Sequence, residues 1–213
     1  DVYPGLDKWI SSEVTESEET THFSVWDKQG NVVSNTYTLN FAYGNGIAVE
    51  GAGFLLNNEM DDFSAKPGSA NGYGLIGGAA NAIQPKKRPL SSMTPTILFN
   101  SHNKPVLATG SPGGSTIITI ALQMILNSTD FNMGIAEATA MPRIHHQWLP
   151  DAVYYENGIS PDTLKNLKSL GHHVSSKPRV LGSTQSISRK GNNLAGSADP
   201  RRQGASAIPQ KTK

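Results

Sequence analysis

Two threonines, Thr20 and Thr21, follow Glu18 and Glu19 at the point where a polar run becomes a strand-like segment. A threonine hydroxyl is a weak nucleophile at neutral pH, so it takes part in covalent catalysis only when a base activates it. The pair also suits the start of a β-strand, because β-branched side chains favour extended backbone. Residue type and spacing therefore indicate either a strand start or a nucleophile, and they do not separate Thr20 from Thr21.

The stretch TGSPGGS, residues 109–115, places two consecutive glycines between a predicted strand and a predicted helix. Glycines let backbone N–H groups approach a developing oxyanion, and a helix N-terminus adds positive potential. Gly113 and Gly114 therefore fit an oxyanion hole, although a tight strand-to-helix turn would have the same sequence. A phosphate-binding loop is disfavoured because the lysine of that motif is absent.

Alternating β-branched and aromatic residues indicate the strands that must position these groups. Segments 21–27 and 32–39 flank the turn sequence DKQGN and predict an antiparallel hairpin. Segments 94–99 and 104–110 predict a second hairpin. Further strands are predicted within 46–63, as short pieces broken by glycines, and at 184–190 and 193–198.

Helices are predicted at 115–128, 134–140 and 160–171. The first has apolar residues on nearly every face, as a buried helix would, and the third lies between an N-cap at Ser160 and a terminal Gly171. The order of strands, then helices, then strands favours an α+β fold over alternating βαβ units.

Two segments lack a regular period. Residues 65–89 are rich in Gly, Pro, Asn and Ala and predict a long loop, of the kind that often forms a lid. Residues 1–19 are polar and acidic, and we expect a flexible lead there.

Composition limits the class of protein. The chain has 213 residues, 37% of them hydrophobic, which suits one domain with a sizeable core. The formal net charge is +1 with no basic patch, so we expect a small partner and no nucleic acid. The chain has no cysteine, and no apolar run approaches the length of a membrane-spanning helix. We expect no metal or other cofactor, since the adjacent His145 and His146 have no further ligand at a suitable spacing.

Four motifs, taken together in this order and spacing, carry a specific resemblance: TTHFSVWDKQGNVVSNTYTLN, GAGFLLNNEMDDFSAKPG, KRPLSSMTPTI and TGSPGGS. They resemble the small subunit of γ-glutamyltranspeptidase, an N-terminal-nucleophile hydrolase, from about Thr20 to Arg201. The resemblance implies a four-layer αββα sandwich, with this chain as its small-subunit part. Residues 20–213 would be the catalytic domain, and residues 1–19 the end of the large subunit, still attached.

The resemblance also assigns catalytic roles. In this family the precursor cuts itself before a threonine, which here matches Thr20, and the freed α-amine then serves as base for the same residue's hydroxyl. The reference pKa of an α-amine, about 7.7–8.0, suits that task. Thr38 matches a second threonine that holds and polarises the nucleophile, and the predicted hairpin would bring it across from Thr20. Gly113 and Gly114 match the oxyanion hole.

Substrate-binding residues are implied in the same way, with acceptors for the ammonium of a glutamyl group and donors for its carboxylate. The family also uses an arginine of the large subunit, outside this chain, against that carboxylate. The long Gly/Asn loop resembles a lid found in part of the family. Asn40, Glu59 and Asp62 match the residues around the α-amine, Ser91 and Ser92 those around the carboxylate, and Tyr73 the residue that closes the lid.

We therefore expect γ-glutamyl transfer or hydrolysis on glutathione and related amides, through a γ-glutamyl ester of Thr20. Expected partners are the large subunit of the same precursor, a γ-glutamyl donor, and an amino acid, peptide or water acceptor. One alternative is an uncleaved, inactive fragment or pseudoenzyme. Another is a related acylase acting on glutaryl, cephalosporin or polyglutamate amides. Resemblance alone suggests a periplasmic or secreted location.

Overall fold

A β-hairpin begins the part of the chain that the computed structural model describes, residues 20–202. Strand β1 (Thr21–Trp26) pairs antiparallel with β2 (Val32–Tyr37), and Thr21 lies opposite Tyr37. The connecting turn is held by Asp27, whose carboxylate accepts the Asn31 N–H at 2.8 Å. The predicted first hairpin is confirmed, while the expected lead at residues 1–19 lies outside the described residues.

The remaining strands in residues 20–202 are mostly short. Strands β3, β4, β7 and β8 form an antiparallel sheet in the order β3-β4-β7-β8, and β5 pairs with β6. The second hairpin and the two late strands were predicted, whereas β5 and β6 have two residues each and are too short to show an alternating pattern. Their bounds are β3 Thr96–Phe99, β4 Pro105–Thr109, β5 Ile144–His145, β6 Tyr154–Tyr155, β7 Gln185–Lys190 and β8 Asn193–Ala198.

Three α-helices lie within the described residues: α1 (Ile117–Thr129), α2 (Ile135–Ala140) and α3 (Pro161–Ser169). All three were predicted, and the Ser160 hydroxyl accepts the Thr163 N–H at 3.3 Å as the cap of α3. No helix among residues 20–202 has the length and apolar character needed to cross a membrane.

The elements pack in layers. The β1–β2 hairpin lies on one face of the four-stranded sheet, where the Ser34 hydroxyl donates to the Thr109 carbonyl at 2.9 Å. Helices α1 and α2 cover the opposite face, and the core between them contains Leu107, Met124 and Ile135. These residues therefore form two β layers and one α layer, which agrees with the predicted α+β class.

Two predictions about these elements were wrong. Segment 46–63 contains no regular strand, only turns, an isolated bridge between Ala48 and Leu55 and a 3-10 turn at Glu59–Asp62. Its backbone N–H groups are satisfied within short turns instead: the Val49 N–H donates to the Phe54 carbonyl at 2.9 Å, and the Ile47 N–H donates to the Asn45 side-chain oxygen at 2.9 Å.

Helix α1 is also not buried all round. Ile117, Ile120, Ala121 and Met124 are buried, but Ile118 and Leu122 on the other face are each 51% exposed.

Residues 65–89 form the predicted loop, interrupted by a bridge between Ala70 and Ile76 and a 3-10 turn at Ala79–Asn81.

Candidate active site

Thr20 lies immediately before β1 and is only 4% exposed. Its hydroxyl donates a hydrogen bond to the Thr38 hydroxyl at 3.1 Å. The hairpin register explains the contact, because Thr21 opposite Tyr37 places Thr20 opposite Thr38 one step further along. The predicted proximity of the two threonines is therefore confirmed.

Thr38 is itself held by the residue two positions later. The Asn40 N–H donates to the Thr38 hydroxyl oxygen at 2.9 Å, so that oxygen accepts two hydrogen bonds. Asn40 has φ +77°, a left-handed backbone that asparagine adopts more readily than most residues. Its side chain is buried and donates to the Asn58 carbonyl at 3.2 Å, which ties the end of β2 to the segment before Glu59.

The glycine pair lies between β4 and α1, as predicted. Gly113 has φ +136° and Gly114 has φ +52°, both in the region that favours glycine. A Cβ atom on Gly114 would lie 2.8 Å from two ring carbons of Tyr73, so no larger residue fits. Within residues 20–202, no acceptor takes the N–H groups of Gly113 and Gly114. Gly114 lines the same pocket as Thr20, and Gly113 directly precedes it, so both backbone N–H groups are candidates for the predicted oxyanion hole.

Two carboxyl groups face the same pocket from the 3-10 turn Glu59–Asp62. Burial and, to a smaller extent, the nearby charge of Asp62 together raise the pKa of Glu59 to about 7. The pKa of Asp62 is also raised, mainly by burial. Oε1 of Glu59 is buried and has no hydrogen-bond partner among the described residues. At neutral pH, Glu59 and Asp62 therefore tend to hold one proton between them. A bound cation would favour the state in which both carboxyl groups are ionised.

Tyr73 closes one side of the pocket. It is 6% exposed, its hydroxyl donates to the Asn40 carbonyl at 2.8 Å, and its ring meets that of Phe41 edge-on with centroids 5.8 Å apart. The predicted loop thus lies over the site with Tyr73 inside it. Tyr73 is therefore held in place as a wall of the pocket.

A single pocket brings almost all the predicted residues together. Ser91 and Ser92 lie at its edge, and Gly113 directly precedes the lining residue Gly114. Whether these residues play the predicted catalytic and binding roles stays a prediction. The lining residues are Thr20, Thr38, Asn40, Glu59, Asp62, Tyr73, Ser91, Ser92, Met93, Gly114, Ser115 and Ile117.

Three of the lining residues were not predicted: Met93, Ser115 and Ile117. Met93 directly follows Ser92, Ser115 is the last residue of the TGSPGGS motif, and Ile117 lies two residues after that motif, so proximity in the sequence was the available signal. The Ser115 hydroxyl donates to the Gln147 side-chain oxygen at 2.7 Å. Gln147 in turn contacts His145 Nε2 at 2.9 Å, and His145 Nδ1 contacts the Thr119 hydroxyl at 2.8 Å. The buried His145 therefore joins Ser115 and Gln147 to helix α1 through hydrogen bonds.

No group of three or more metal-ligating side chains occurs in residues 20–202. His146 instead pairs with Asp151 at 3.0 Å on the surface. The polar groups of the pocket are hydroxyls, carboxyls and backbone N–H groups. Such a set suits an amino acid end group and acyl-transfer chemistry.

Sequence comparison shows strong similarity to known proteins. The family model described as gamma-glutamyltranspeptidase matches residues 5–208. The glutathione hydrolase proenzyme of Escherichia coli (strain K12) is 58% identical over 187 residues, covering 87% of this chain and 32% of the relative. The chain therefore spans about a third of the length of such curated relatives.

Comparison with solved structures finds the same family. The gamma-glutamyltranspeptidase from Pseudomonas nitroreducens complexed with L-DON has a TM-score of 0.81 and 46% identity, covering 88% of this chain and 98% of that chain. A mutant of gamma-glutamyltranspeptidase from Helicobacter pylori has a TM-score of 0.80 and 53% identity, and the match covers 85% of this chain and 100% of that chain. The matches confirm the predicted fold, that of the N-terminal-nucleophile hydrolases.

Proposed function

Because the chain belongs to the γ-glutamyltranspeptidase family, as its small-subunit part, we propose that it transfers the γ-glutamyl group of glutathione and related amides to water, an amino acid or a peptide. The observation that carries this proposal is the position of Thr20. Thr20 is buried, its hydroxyl is hydrogen-bonded to that of Thr38, and it lines one pocket with Gly114 and the carboxyl pair Glu59 and Asp62.

Maturation would be the first use of the Thr20 hydroxyl. Its oxygen attacks the Glu19 carbonyl carbon, and the peptide C–N bond breaks as the Thr20 nitrogen takes up the proton that the hydroxyl has lost. The product is an ester between Glu19 and the Thr20 oxygen. Water then hydrolyses this ester, giving the Glu19 carboxylate and a Thr20 with a free α-amine. Thr38 supports the first step, because its oxygen accepts a hydrogen bond from the Thr20 hydroxyl, with the two oxygens 3.1 Å apart, and so orients the attacking lone pair.

Turnover would use the same oxygen with the new amine as base. The α-amine takes the hydroxyl proton while the oxygen attacks the γ-carbonyl carbon of the donor. The N–H groups of Gly113 and Gly114 stabilise the resulting oxyanion. The amide C–N bond then breaks, and the leaving amine takes the proton from the α-amine. In the second half of the reaction, water or an amine acceptor gives a proton to the α-amine and attacks the ester carbonyl carbon. The ester C–O bond then breaks, and the Thr20 oxygen takes the proton back from the α-amine.

Recognition of the donor would fall to the polar groups at the other end of the pocket. The carboxyl pair Glu59 and Asp62 is suited to an ammonium, since the Glu59 Oε1 atom has no other partner among residues 20–202. Ser91 and Ser92 offer hydroxyl donors to a carboxylate. The proposed large subunit would add the cationic partner for that carboxylate.

The test is to express the whole precursor that contains this chain. N-terminal sequencing should find Thr20 as a new N-terminus, and the mature protein should release an anilide from its γ-glutamyl derivative. An intact, inactive chain would instead favour the pseudoenzyme alternative. A donor panel containing glutaryl, cephalosporin and polyglutamate amides distinguishes the acylase alternative, which would use the same Thr20.

A further inference from the structure

Asp61 makes a contact that none of the roles above requires. It lies between Met60 and the pocket residue Asp62, and its Oδ2 accepts the Gly72 N–H at 2.9 Å. Gly72 is the residue before Tyr73 in the long loop. The carboxylate thus joins the 3-10 turn that faces the substrate pocket to the loop that covers it.

Gly72 is closely enclosed at this point. A Cβ atom there would lie 2.5 Å from the Phe41 ring and 2.8 Å from Asp61 Oδ2. Phe41 also packs edge-on against Tyr73. The backbone of the loop is therefore held between a carboxylate and an aromatic ring, immediately before the tyrosine that enters the pocket.

Asn71 shapes the loop from the other side of Gly72. Its side-chain oxygen accepts the N–H groups of Tyr73 and Leu75, each at 3.0 Å, and its amide donates to the Asp61 carbonyl at 3.4 Å. Asp61 therefore fixes Gly72 through its side chain and Asn71 through its main chain. Both contacts orient Tyr73.

From Tyr73 the hydrogen bonds continue to the nucleophile. The Tyr73 hydroxyl donates to the Asn40 carbonyl, the Asn40 N–H donates to Thr38, and Thr38 accepts from Thr20. The loop, the end of β2 and Thr20 are thus parts of one connected network. Displacement of Tyr73 would open the pocket and also remove a restraint on Asn40.

We propose that Asp61 is a positioning residue that latches the loop over the pocket, and that it thereby sets how the γ-glutamyl ester divides between water and amine acceptors. This inference rests on the proposed function for its effect on products, but the latch itself does not. A closed loop excludes water from the ester. Loss of the latch should therefore raise the share of hydrolysis.

The experiment compares Asp61→Ala and Asp61→Asn in the mature enzyme made from the whole precursor. The first readout is backbone hydrogen exchange of a peptide covering residues 68–78. Asp61→Ala should speed exchange there about threefold to tenfold, the factor expected when one hydrogen bond of ordinary strength is lost. Asp61→Asn keeps an oxygen acceptor for the Gly72 N–H and should stay within about twofold of the unmodified enzyme.

The second readout is the ratio of hydrolysis to transfer at fixed donor and dipeptide concentrations. We expect Asp61→Ala to raise this ratio at least about twofold and Asp61→Asn to restore it. The matched control is Asp27→Ala, which removes a carboxylate that also accepts a backbone N–H in a turn, from Asn31 at 2.8 Å, but far from the pocket. It should change neither readout.

If Asp61→Ala does not mature, Asn71→Ala tests the same latch. Its control is Asn100→Ala, since Asn100 accepts the N–H groups of His102 and Lys104 in the same pattern, at 3.0 Å each. Unchanged exchange at residues 68–78 in the latch variants would overturn the latch. Faster exchange with an unchanged product ratio would overturn its role in partition. An inactive unmodified enzyme would refute the proposed function, while the exchange measurement would still decide the latch.

Discussion

The hydroxyl of Thr20 lies 3.1 Å from that of Thr38 and donates a hydrogen bond to it, across the open end of the β1–β2 hairpin. Both residues line the same pocket, and the Asn40 N–H occupies a second acceptor position on Thr38. The Thr20 oxygen is therefore held in one orientation while its proton points at Thr38. This arrangement favours attack by Thr20 rather than by Thr21, which is exposed on β1.

The first prediction concerns Thr20. Thr20→Ala should abolish both precursor cleavage and turnover, because one oxygen would perform both reactions. Thr20→Ser keeps the hydroxyl and the future α-amine but loses the methyl group that restricts its rotamer, so slow cleavage and reduced turnover should remain. Gel analysis measures precursor cleavage, and a γ-glutamyl anilide assay measures turnover. Thr21→Ala is the control and should spare both, and an N-terminus found at Thr21 would refute the assignment.

Thr38 should matter through its oxygen. Thr38→Ala removes the hydrogen-bond acceptor that orients the Thr20 hydroxyl and should slow cleavage and acylation by about 3- to 10-fold, the factor expected when one hydrogen bond of ordinary strength is lost. Thr38→Ser keeps the oxygen and should retain most of both rates. Single-turnover kinetics of acylation is the appropriate measurement. Equal rates for the alanine and serine variants would show that the hydroxyl does not act on Thr20.

Donor binding should depend on pH through Glu59 and Asp62. Burial raises the pKa of Glu59 to about 7, so the pair takes up a proton as the pH falls below 7, and a protonated pair holds an ammonium weakly. The affinity for free glutamate as a competitive inhibitor should therefore fall from pH 8 to pH 6, by at most about tenfold per pH unit for one proton.

Glu59→Gln provides the matched comparison for that measurement. Glu59→Gln lacks the carboxyl group whose pKa is about 7 and leaves Asp62, whose pKa is raised mainly by burial, so the decline in affinity should move to lower pH. An inhibition profile with the same midpoint in both proteins would assign the titration to another group, such as the Thr20 α-amine.

Tyr73 should control products more than rate. Tyr73→Phe removes the hydrogen bond to the Asn40 carbonyl but keeps the ring against Gly114, so we expect a small rise in the hydrolysis share. Tyr73→Ala also removes the ring and should raise that share further, while cleavage between Glu19 and Thr20 continues. The ratio of free glutamate to transfer product gives the answer. No change in that ratio for Tyr73→Ala would remove the gating role.

Stability should depend on a buried ion pair far from the chemistry. Arg143 and Asp199 are 2% and 1% exposed and lie 2.6 Å apart. Burial by itself would raise the pKa of Asp199, but the Arg143 charge and two backbone N–H groups bring it below its usual value. Asp199→Ala leaves the Arg143 charge buried without its partner and should cost about 3–5 kcal/mol.

Denaturant unfolding of the mature enzyme tests this value. Because the pKa of Asp199 is lowered, its contribution is present above the carboxyl's unfolded pKa and is lost as the pH falls through the lower folded value. The difference between the two proteins should therefore shrink in acid. Asp151→Ala, which removes an exposed partner of His146, should leave the unfolding midpoint unchanged. A similar loss in both variants would contradict the role of burial.

Much of the framework could be predicted from local sequence. The alternation in residues 21–27 and 32–39 and the turn between them fix the hairpin register, and that register alone brings Thr38 opposite Thr20. The cap at Ser160 and the glycine pair before α1 are likewise local signals. The choice of Thr20 over Thr21 needed the resemblance between motifs, since the two side chains are chemically identical.

Tertiary structure decided what depends on distant partners. The raised pKa of Glu59 comes from burial, which no local pattern in NNEMDD reports. The path of the long loop is set by Asp61 and Asn40, 11 and 33 residues away from their partners, so composition indicated only that a loop exists. Likewise, the apolar residues of α1 do not indicate which face of the helix is buried, because that depends on which elements pack against it. Sequence determined which groups could react, and the packing of separate segments decided which of them meet, because solvation and contact depend on the whole fold.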